Sequence, residues 1–171
     1  MKKMLFGLFF ITITNFSIAQ NCKYEKNEVD KFTNASIKTT KELFVAGGST
    51  KLDGTLYASL SKINKNRFLN IKLTTWDNFV IETDGKFLVL FDDNSVMELS
   101  FIKYAVGEYD NNSGLETWTA NAVLHLTDND YEELKLKEVK ETRVYLKEGY
   151  LNLPVPNKFW KKFKQNLKCI E

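Results

Sequence analysis

The single histidine of this 171-residue chain, His125, is followed closely by Asp128 and Asp130. A carboxylate that orients an imidazole ring raises its basicity, and such a pair can act as the general base of a hydrolase. No G-x-S-x-G motif supplies a serine nucleophile, however. A histidine at the exposed end of a strand, beside a helix cap, explains the same pattern. We therefore predict no catalytic residue, and keep a hydrolase using His125 with Asp128 or Asp130 as the alternative.

Metal-ligand patterns are incomplete in the sequence. The acid-rich stretch "DNDYEE", residues 128–133, resembles the start of a calcium loop, but Glu133 takes the sixth position and Val139 the twelfth. An EF-hand needs glycine and an acid there. Two cysteines and one histidine are also too few for a four-ligand zinc site. We expect no metal and no cofactor.

Aromatic side chains on strands offer a different chemistry, because an exposed ring can stack against a sugar or a peptide. Trp76 stands before Asp77-Asn78, where a strand should end, and Tyr57 lies on the polar side of an alternating strand. We predict both as ligand-binding residues. Trp118 shares its alternation with Ala120, so we expect it in the core.

The first nineteen residues have the pattern of a secretory signal peptide. Lys2 and Lys3 precede an apolar run, and Ser17 and Ala19 occupy the small-residue positions of a cleavage site. The run is about 14 residues, shorter than the roughly 20 that span a bilayer. We predict cleavage after Ala19. The mature chain, residues 20–171, is then expected to be periplasmic or secreted, with no integral membrane segment.

Export changes the interpretation of the two cysteines, Cys22 and Cys169, which lie near opposite ends of the chain. In an oxidising compartment a cysteine pair in a small protein favours a disulfide. Domain termini are often close in space. We predict a Cys22–Cys169 bridge, with two free thiols as the alternative.

Charge argues against nucleic acid as a partner. Without Lys2 and Lys3 the basic residues fall from 24 to 22, which equals the number of acidic residues. A neutral chain lacks the excess positive charge on which non-specific nucleic-acid binding depends. The lysines of the last segment, residues 158–168, can attract an anionic membrane or polymer, but a solvated amphipathic helix has the same composition.

Period-two alternation predicts antiparallel strands through most of the mature chain. Residues 55–63 place Leu56, Ala58 and Leu60 on one face, and residues 67–76 repeat the pattern with Leu69, Ile71 and Leu73. Polar breaks indicate hairpins, with Asp84-Gly85 and Glu148-Gly149 as turn signals. The expected architecture is a mostly β, α+β domain over residues 20–171: an antiparallel meander, sandwich or open barrel.

Two helices complete the predicted fold. Asp130 and Glu133 have capping-box spacing, which favours a short helix near residues 130–137. The C-terminal segment is amphipathic, with Pro156 near its start and apolar residues on one side: Phe159, Trp160, Phe163, Leu167 and Ile170. This second helix would return Cys169 toward the N-terminus.

Three segments, "YEKNEVDKFTNASIKTTKE", "LYASLSKINKNRFLNIKL" and "FLVLFDDNSVMEL", resemble a group of small secreted proteins of Bacteroidetes-type bacteria. That group shares a signal peptide, an N-E-x-D-x-F-T segment and β-hairpins in this order. Asn34 stands where a glycine often follows F-T in the group. The resemblance implies an exported protein and carries over no catalytic residue.

The sequence favours an exported, non-catalytic domain that binds a partner protein or a surface ligand. Exposed edge strands can pair with an extended peptide, and exposed aromatic rings can receive a ligand. Besides the hydrolase, a purely structural protein of the cell envelope is the second alternative.

Overall fold

The computed structural model describes residues 22–47, 54–111 and 115–171, so the predicted signal peptide lies outside the described residues. Strands make up 55% of the structure and helices 16%, which confirms the mostly β prediction. The strands are β1 (Tyr24–Val29), β2 (Ser36–Thr40), β3 (Leu43–Gly47), β4 (Thr55–Ile63), β5 (Asn66–Thr75), β6 (Val80–Ile81), β7 (Lys86–Phe91), β8 (Val96–Ser100), β9 (Ala105–Val106), β10 (Glu108–Asp110), β11 (Thr117–Leu126), β12 (Val139–Leu146) and β13 (Gly149–Pro154). The helices are α1 (Asp128–Leu136), α2 (Asn157–Leu167) and a 3-10 turn, η1 (Lys168–Ile170).

Two main antiparallel sheets enclose the core. The larger sheet has the order β1-β2-β4-β5-β11-β10, with β3 also paired to β4, and it curls into a half-barrel. The second sheet has the order β13-β12-β7-β8, and β6 pairs with β9 in a small third sheet. The alternating residues of β4 and β5 point into this core, as predicted: Leu56, Ala58, Leu60, Leu69, Ile71 and Leu73 are all buried.

The turn between β1 and β2 is organised by one carboxylate. Asp30 accepts hydrogen bonds from the backbone amide and hydroxyl of Thr33, at 2.7 and 2.9 Å, and from the Phe32 amide at 2.9 Å; these bonds lower the pKa of Asp30. Asn34 closes the turn with φ of 55°, in the left-handed region that glycine and asparagine tolerate best. Asparagine therefore fits this position with less strain than most other side chains would.

The hairpin predicted at Asp84-Gly85 is wrong, although a turn is present there. Strand β6 pairs with β9 and not with β7. The backbone of the turn is bonded to Phe101: the Asp84 amide donates to the Phe101 carbonyl, and the Phe101 amide donates to the Gly85 carbonyl, both at 3.0 Å. Because these groups extend the pairing of β7 with β8, the chain before the turn forms its hydrogen bonds elsewhere.

The short helix is confirmed, but its start and its cap differ from the prediction. Helix α1 begins at Asp128 and is capped by Thr127, whose side chain accepts from the Asp130 amide. The Asp130 carboxylate in turn accepts from the Thr127 amide at 2.9 Å. Asp130 is therefore the N3 residue of a capping box whose N-cap is Thr127, three residues before the predicted cap.

Helix α2 confirms the amphipathic prediction and closes the core. Its apolar side buries Trp160, Phe163 and Leu167, followed by Ile170 in η1. Pro156 takes the N-cap position, directly before the helix. Among the described residues no helix is long and apolar enough to cross a membrane.

The segment before β1 and the C-terminal residues meet beside η1. Cys22 and Cys169 form a disulfide, with Cα atoms 5.7 Å apart, as the sequence led us to expect. Within the same region the Tyr24 hydroxyl donates to the Cys169 carbonyl at 2.9 Å. The C-terminal helix thus returns to the first strand.

Candidate functional site

His125 and the two predicted acids do not form a hydrogen-bonded set in the structure. His125 is exposed on β11, and its ring lies 5.6 Å from the ring of its cross-strand neighbour Phe68. Asp128 accepts a bond from Arg67 at 2.6 Å, and Asp130 is engaged by Thr127 in the helix cap. Each predicted acid therefore has a structural partner, and the cavity described below is lined by other residues.

Tyr57 packs within a cluster on the outer side of the large sheet. Its ring lies edge-on to Phe44, with centroids 5.6 Å apart, and the Lys72 amine sits 4.9 Å from the ring centroid. Lys72 also forms an ion pair with Glu42 at 2.6 Å. Tyr57 is half-buried and is not among the residues that line the groove at Trp76. The two aromatic residues predicted for ligand binding are therefore at different places.

Trp76 lies in a groove of about 430 Å³, which we call the Trp76 groove. One wall is residues 75–80, where the chain leaves β5 and enters β6, and the other is residues 146–151, the turn between β12 and β13. Trp76 itself is half-buried, and Trp118 on β11 is half-buried as well. Trp76, which the sequence suggested for ligand binding, is therefore one of the residues that line this groove.

Local hydrogen bonds hold the two walls in place. The Thr75 hydroxyl donates to the Asp77 carbonyl at 2.7 Å, which bends the chain directly after β5. The Lys147 amide donates to the Val80 carbonyl at 2.9 Å and joins one wall to the other. Gly149 has φ of 147°, a conformation that side chains rarely adopt, so this tight turn requires glycine.

Tyr150 contributes a second aromatic ring to the groove, and it is 54% exposed. The Arg143 guanidinium lies 4.2 Å from the centroid of this ring, and Tyr145 packs at 5.8 Å. These neighbours restrict the orientation of the ring while more than half of its surface remains open. Tyr150 was not predicted as a site residue. The sequence indicates a turn at Glu148-Gly149, but it does not show that this turn faces residues 75–80.

The groove combines apolar rings with polar groups at its edge. Asp77 and Glu148 supply carboxylates, Asn78 an amide and Lys147 an amine, all on exposed residues. A few polar groups around an aromatic surface are typical of sites that orient a small ligand. Among the described residues no cluster of histidine, cysteine and acidic side chains is placed to hold a metal ion. The groove is therefore suited to stacking and hydrogen bonding.

Open strand edges form a second kind of candidate surface. Strand β1 ends the large sheet, pairs only with β2 among the described strands, and exposes five of its six residues. Its residues include Glu25, Lys26 and Glu28, and charged side chains are a common protection of an open edge against pairing. The β1 edge is thus less suited to pairing with an extended peptide than the sequence pattern suggested.

Comparison with known proteins identified no relative: no family model, no curated protein and no solved structure matches the chain.

Proposed function

We propose that this protein is an exported, non-catalytic binding domain that holds an oligosaccharide in the Trp76 groove. The observation that carries the proposal is that two aromatic residues, Trp76 and Tyr150, line one groove of about 430 Å³. An aromatic ring presents an apolar face to the C–H groups of a sugar ring. The hydroxyl groups of the sugar need hydrogen-bond partners at the rim.

The rim groups favour a sugar over a purely apolar ligand. The carboxylates of Asp77 and Glu148 accept hydrogen bonds, and the Asn78 amide both donates and accepts. A ligand rich in hydroxyl groups satisfies such a mixture without burying a charge. The disulfide between the chain ends is compatible with an oxidising, extracytoplasmic compartment, which supports the proposed export.

The experiment is a titration of the disulfide-intact protein with soluble tetrasaccharides: cellotetraose, xylotetraose, chitotetraose and maltotetraose. Binding is followed by isothermal calorimetry and by the backbone amide resonances of residues 75–80 and 146–151. We expect at least one sugar to bind and to shift resonances in both segments. Tyr150→Ala should then weaken binding by about tenfold or more, which corresponds to roughly 1.4 kcal/mol.

Tyr104 provides the matched control, because it is 60% exposed and lies outside the groove. Tyr104→Ala removes the same side chain from a similarly open position and should leave binding unchanged. Equal losses in the two variants would refute the assignment of the groove. Resonance shifts confined to other segments, or no binding of any of the four sugars, would refute the proposal itself.

A further inference from the structure

Helix α2 and the first residue of η1 present a row of lysines to solvent. Lys158, Lys161, Lys162 and Lys168 are exposed, and we call these four the lysine face. Their spacing of three, four and ten residues from Lys158 places them on one side of a helix. The helix itself contains no acidic residue. Positive charge is therefore concentrated locally, although the predicted mature chain is neutral.

The opposite side of α2 fixes the direction of this face. Trp160, Phe163 and Leu167 are each 3% exposed or less and pack into the core. Phe159 packs edge-on against Phe44 of β3, with centroids 4.6 Å apart. Because these contacts prevent the helix from rotating, the lysine face points away from the sheets.

The acids nearby along the chain pair with other lysines. Glu138 pairs with Lys164, the remaining lysine of α2, at 2.9 Å, and Glu171 pairs with Lys135 at 2.8 Å. Among the described residues no carboxylate lies within ion-pair distance, 4.0 Å, of any member of the lysine face. The Lys158 amine lies 4.7 Å from the Phe159 ring centroid, and Lys168 interacts electrostatically with Glu171 beyond ion-pair distance. None of the four charges is therefore neutralised by a carboxylate in direct contact, and an external anion can reach them.

An exposed leucine flanks the lysine face. Leu136, the last residue of α1, is 78% exposed, and its carbonyl accepts a bond from the Lys164 amine at 3.3 Å. On the helix, Lys164 lies beside Lys161 and Lys168, which are three and four residues away. The Lys164 amine thus links the end of α1, where Leu136 is exposed, to the helix that carries the lysine face.

We propose that the lysine face docks the protein on an anionic phospholipid surface, with Leu136 entering the interface. The lysine ammonium is a compact, strongly hydrated charge that suits hydrated phosphate headgroups, whereas lysine is depleted from protein–protein interfaces. A basic helix face beside an apolar side chain is the arrangement that lies on a bilayer. Each lysine near such a surface strengthens binding by about fivefold. This inference is independent of the Trp76 groove.

The test measures partitioning of the disulfide-intact protein onto sedimented vesicles. One set is phosphatidylcholine with about one third phosphatidylglycerol, and the other is phosphatidylcholine alone. We expect binding only to the anionic set, with a loss when salt is raised from about 0.1 M to about 0.5 M. Lys158→Gln, Lys161→Gln, Lys162→Gln and Lys168→Gln combined should lower the partition coefficient by about a hundredfold or more.

A matched variant carries the same charge change at four exposed lysines outside α2 that also lack an ion pair: Lys31, Lys65, Lys103 and Lys140. It should retain most of the binding, because its charges lie away from the docking face. Leu136→Ser should lose severalfold while the net charge is unchanged. Far-ultraviolet circular dichroism confirms that each variant is folded.

Three results would overturn the proposal. The first is equal partitioning of the two four-lysine variants, and the second is equal binding to neutral and anionic vesicles. The third is binding to a soluble acidic polymer, such as polyglutamate, without any partitioning onto vesicles, which would assign the lysine face to an acidic macromolecule.

Discussion

Removal of the Cys22–Cys169 bridge should destabilise the protein mainly through its unfolded state. The bridge joins residues separated by 147 positions, so it closes nearly the whole predicted mature chain into one loop. In the chain-entropy model a cross-link that closes such a loop raises the free energy of the unfolded chain by about 5 kcal/mol, because it reduces the entropy of that chain. Native disulfides typically contribute roughly 2–4 kcal/mol. The expected loss in a Cys22→Ala, Cys169→Ala variant is therefore about 2–5 kcal/mol.

The folded state should survive this change, because other contacts hold the chain ends together. The Tyr24 hydroxyl donates to the Cys169 carbonyl at 2.9 Å, and Ile170 is fully buried. Only the unfolded chain gains freedom and exposes more surface. We therefore expect the dependence of the unfolding free energy on denaturant, the m-value, to rise in the variant.

The assay is equilibrium unfolding in guanidinium chloride, followed by circular dichroism and tryptophan fluorescence. The oxidised protein is compared with the double variant and with the protein under reductant. Tyr24→Phe is the control, because it removes the hydrogen bond to Cys169 and retains the cross-link. It should cost about 1 kcal/mol without a change in m-value.

Two results would contradict this reasoning. If the double variant unfolds at the same denaturant concentration with the same m-value, the bridge does not restrict the unfolded chain. If the variant instead loses its native spectrum in water, the bridge is needed to hold the folded ends, and the contacts of Tyr24 and Ile170 are insufficient.

Two further perturbations test the local interpretations. Thr127→Ala removes the side chain that caps α1 and should cost about 1 kcal/mol in thermal unfolding, whereas Thr127→Ser should be nearly neutral; equal losses would argue against the cap. Hydrogen bonds from Ser95, and then Lys137, lower the pKa of Asp93 from 3.8 to about 2. This contribution to stability is present above pH 4 and is lost as the pH falls through about 2. In an acid-unfolding titration, Asp93→Asn should therefore lose less stability than the parent protein as the pH falls from about 4 to about 2. Identical profiles for the two proteins would contradict the assignment.

Local sequence patterns predicted the strands and helices whose core-facing residues recur at a regular spacing. The alternation of Leu56, Ala58 and Leu60 identified β4 and its buried face, since a strand turns every second side chain inward. The apolar side of α2 was equally visible at Trp160 and Phe163. The disulfide could be expected because only two cysteines were present and the N-terminus indicated export.

Strand partners were harder to predict, because a turn signal specifies a reversal of the chain and not the strand that follows it. Asp84-Gly85 does form a turn, but the hydrogen bonds of Phe101 extend β8 into it, and β6 joins β9. The same limit applies to the Trp76 groove. Its walls lie some seventy residues apart in sequence, and neither Trp76 nor Tyr150 carries a local sign of the other.

The lysine face is likewise a product of the fold rather than of its own segment. Helix α2 has 11 residues, and isolated helices shorter than about 12–15 residues are marginal in water. The burial of Phe163 and Leu167 stabilises the helical spacing that brings the exposed lysines to one side. Cys169 follows directly, so the disulfide anchors the end of the same element to the first strand. An isolated peptide of this segment would carry the same charges without their fixed arrangement. Tight binding to an anionic surface should therefore belong to the folded, oxidised protein, in which the lysines are already ordered and less conformational entropy is lost on docking.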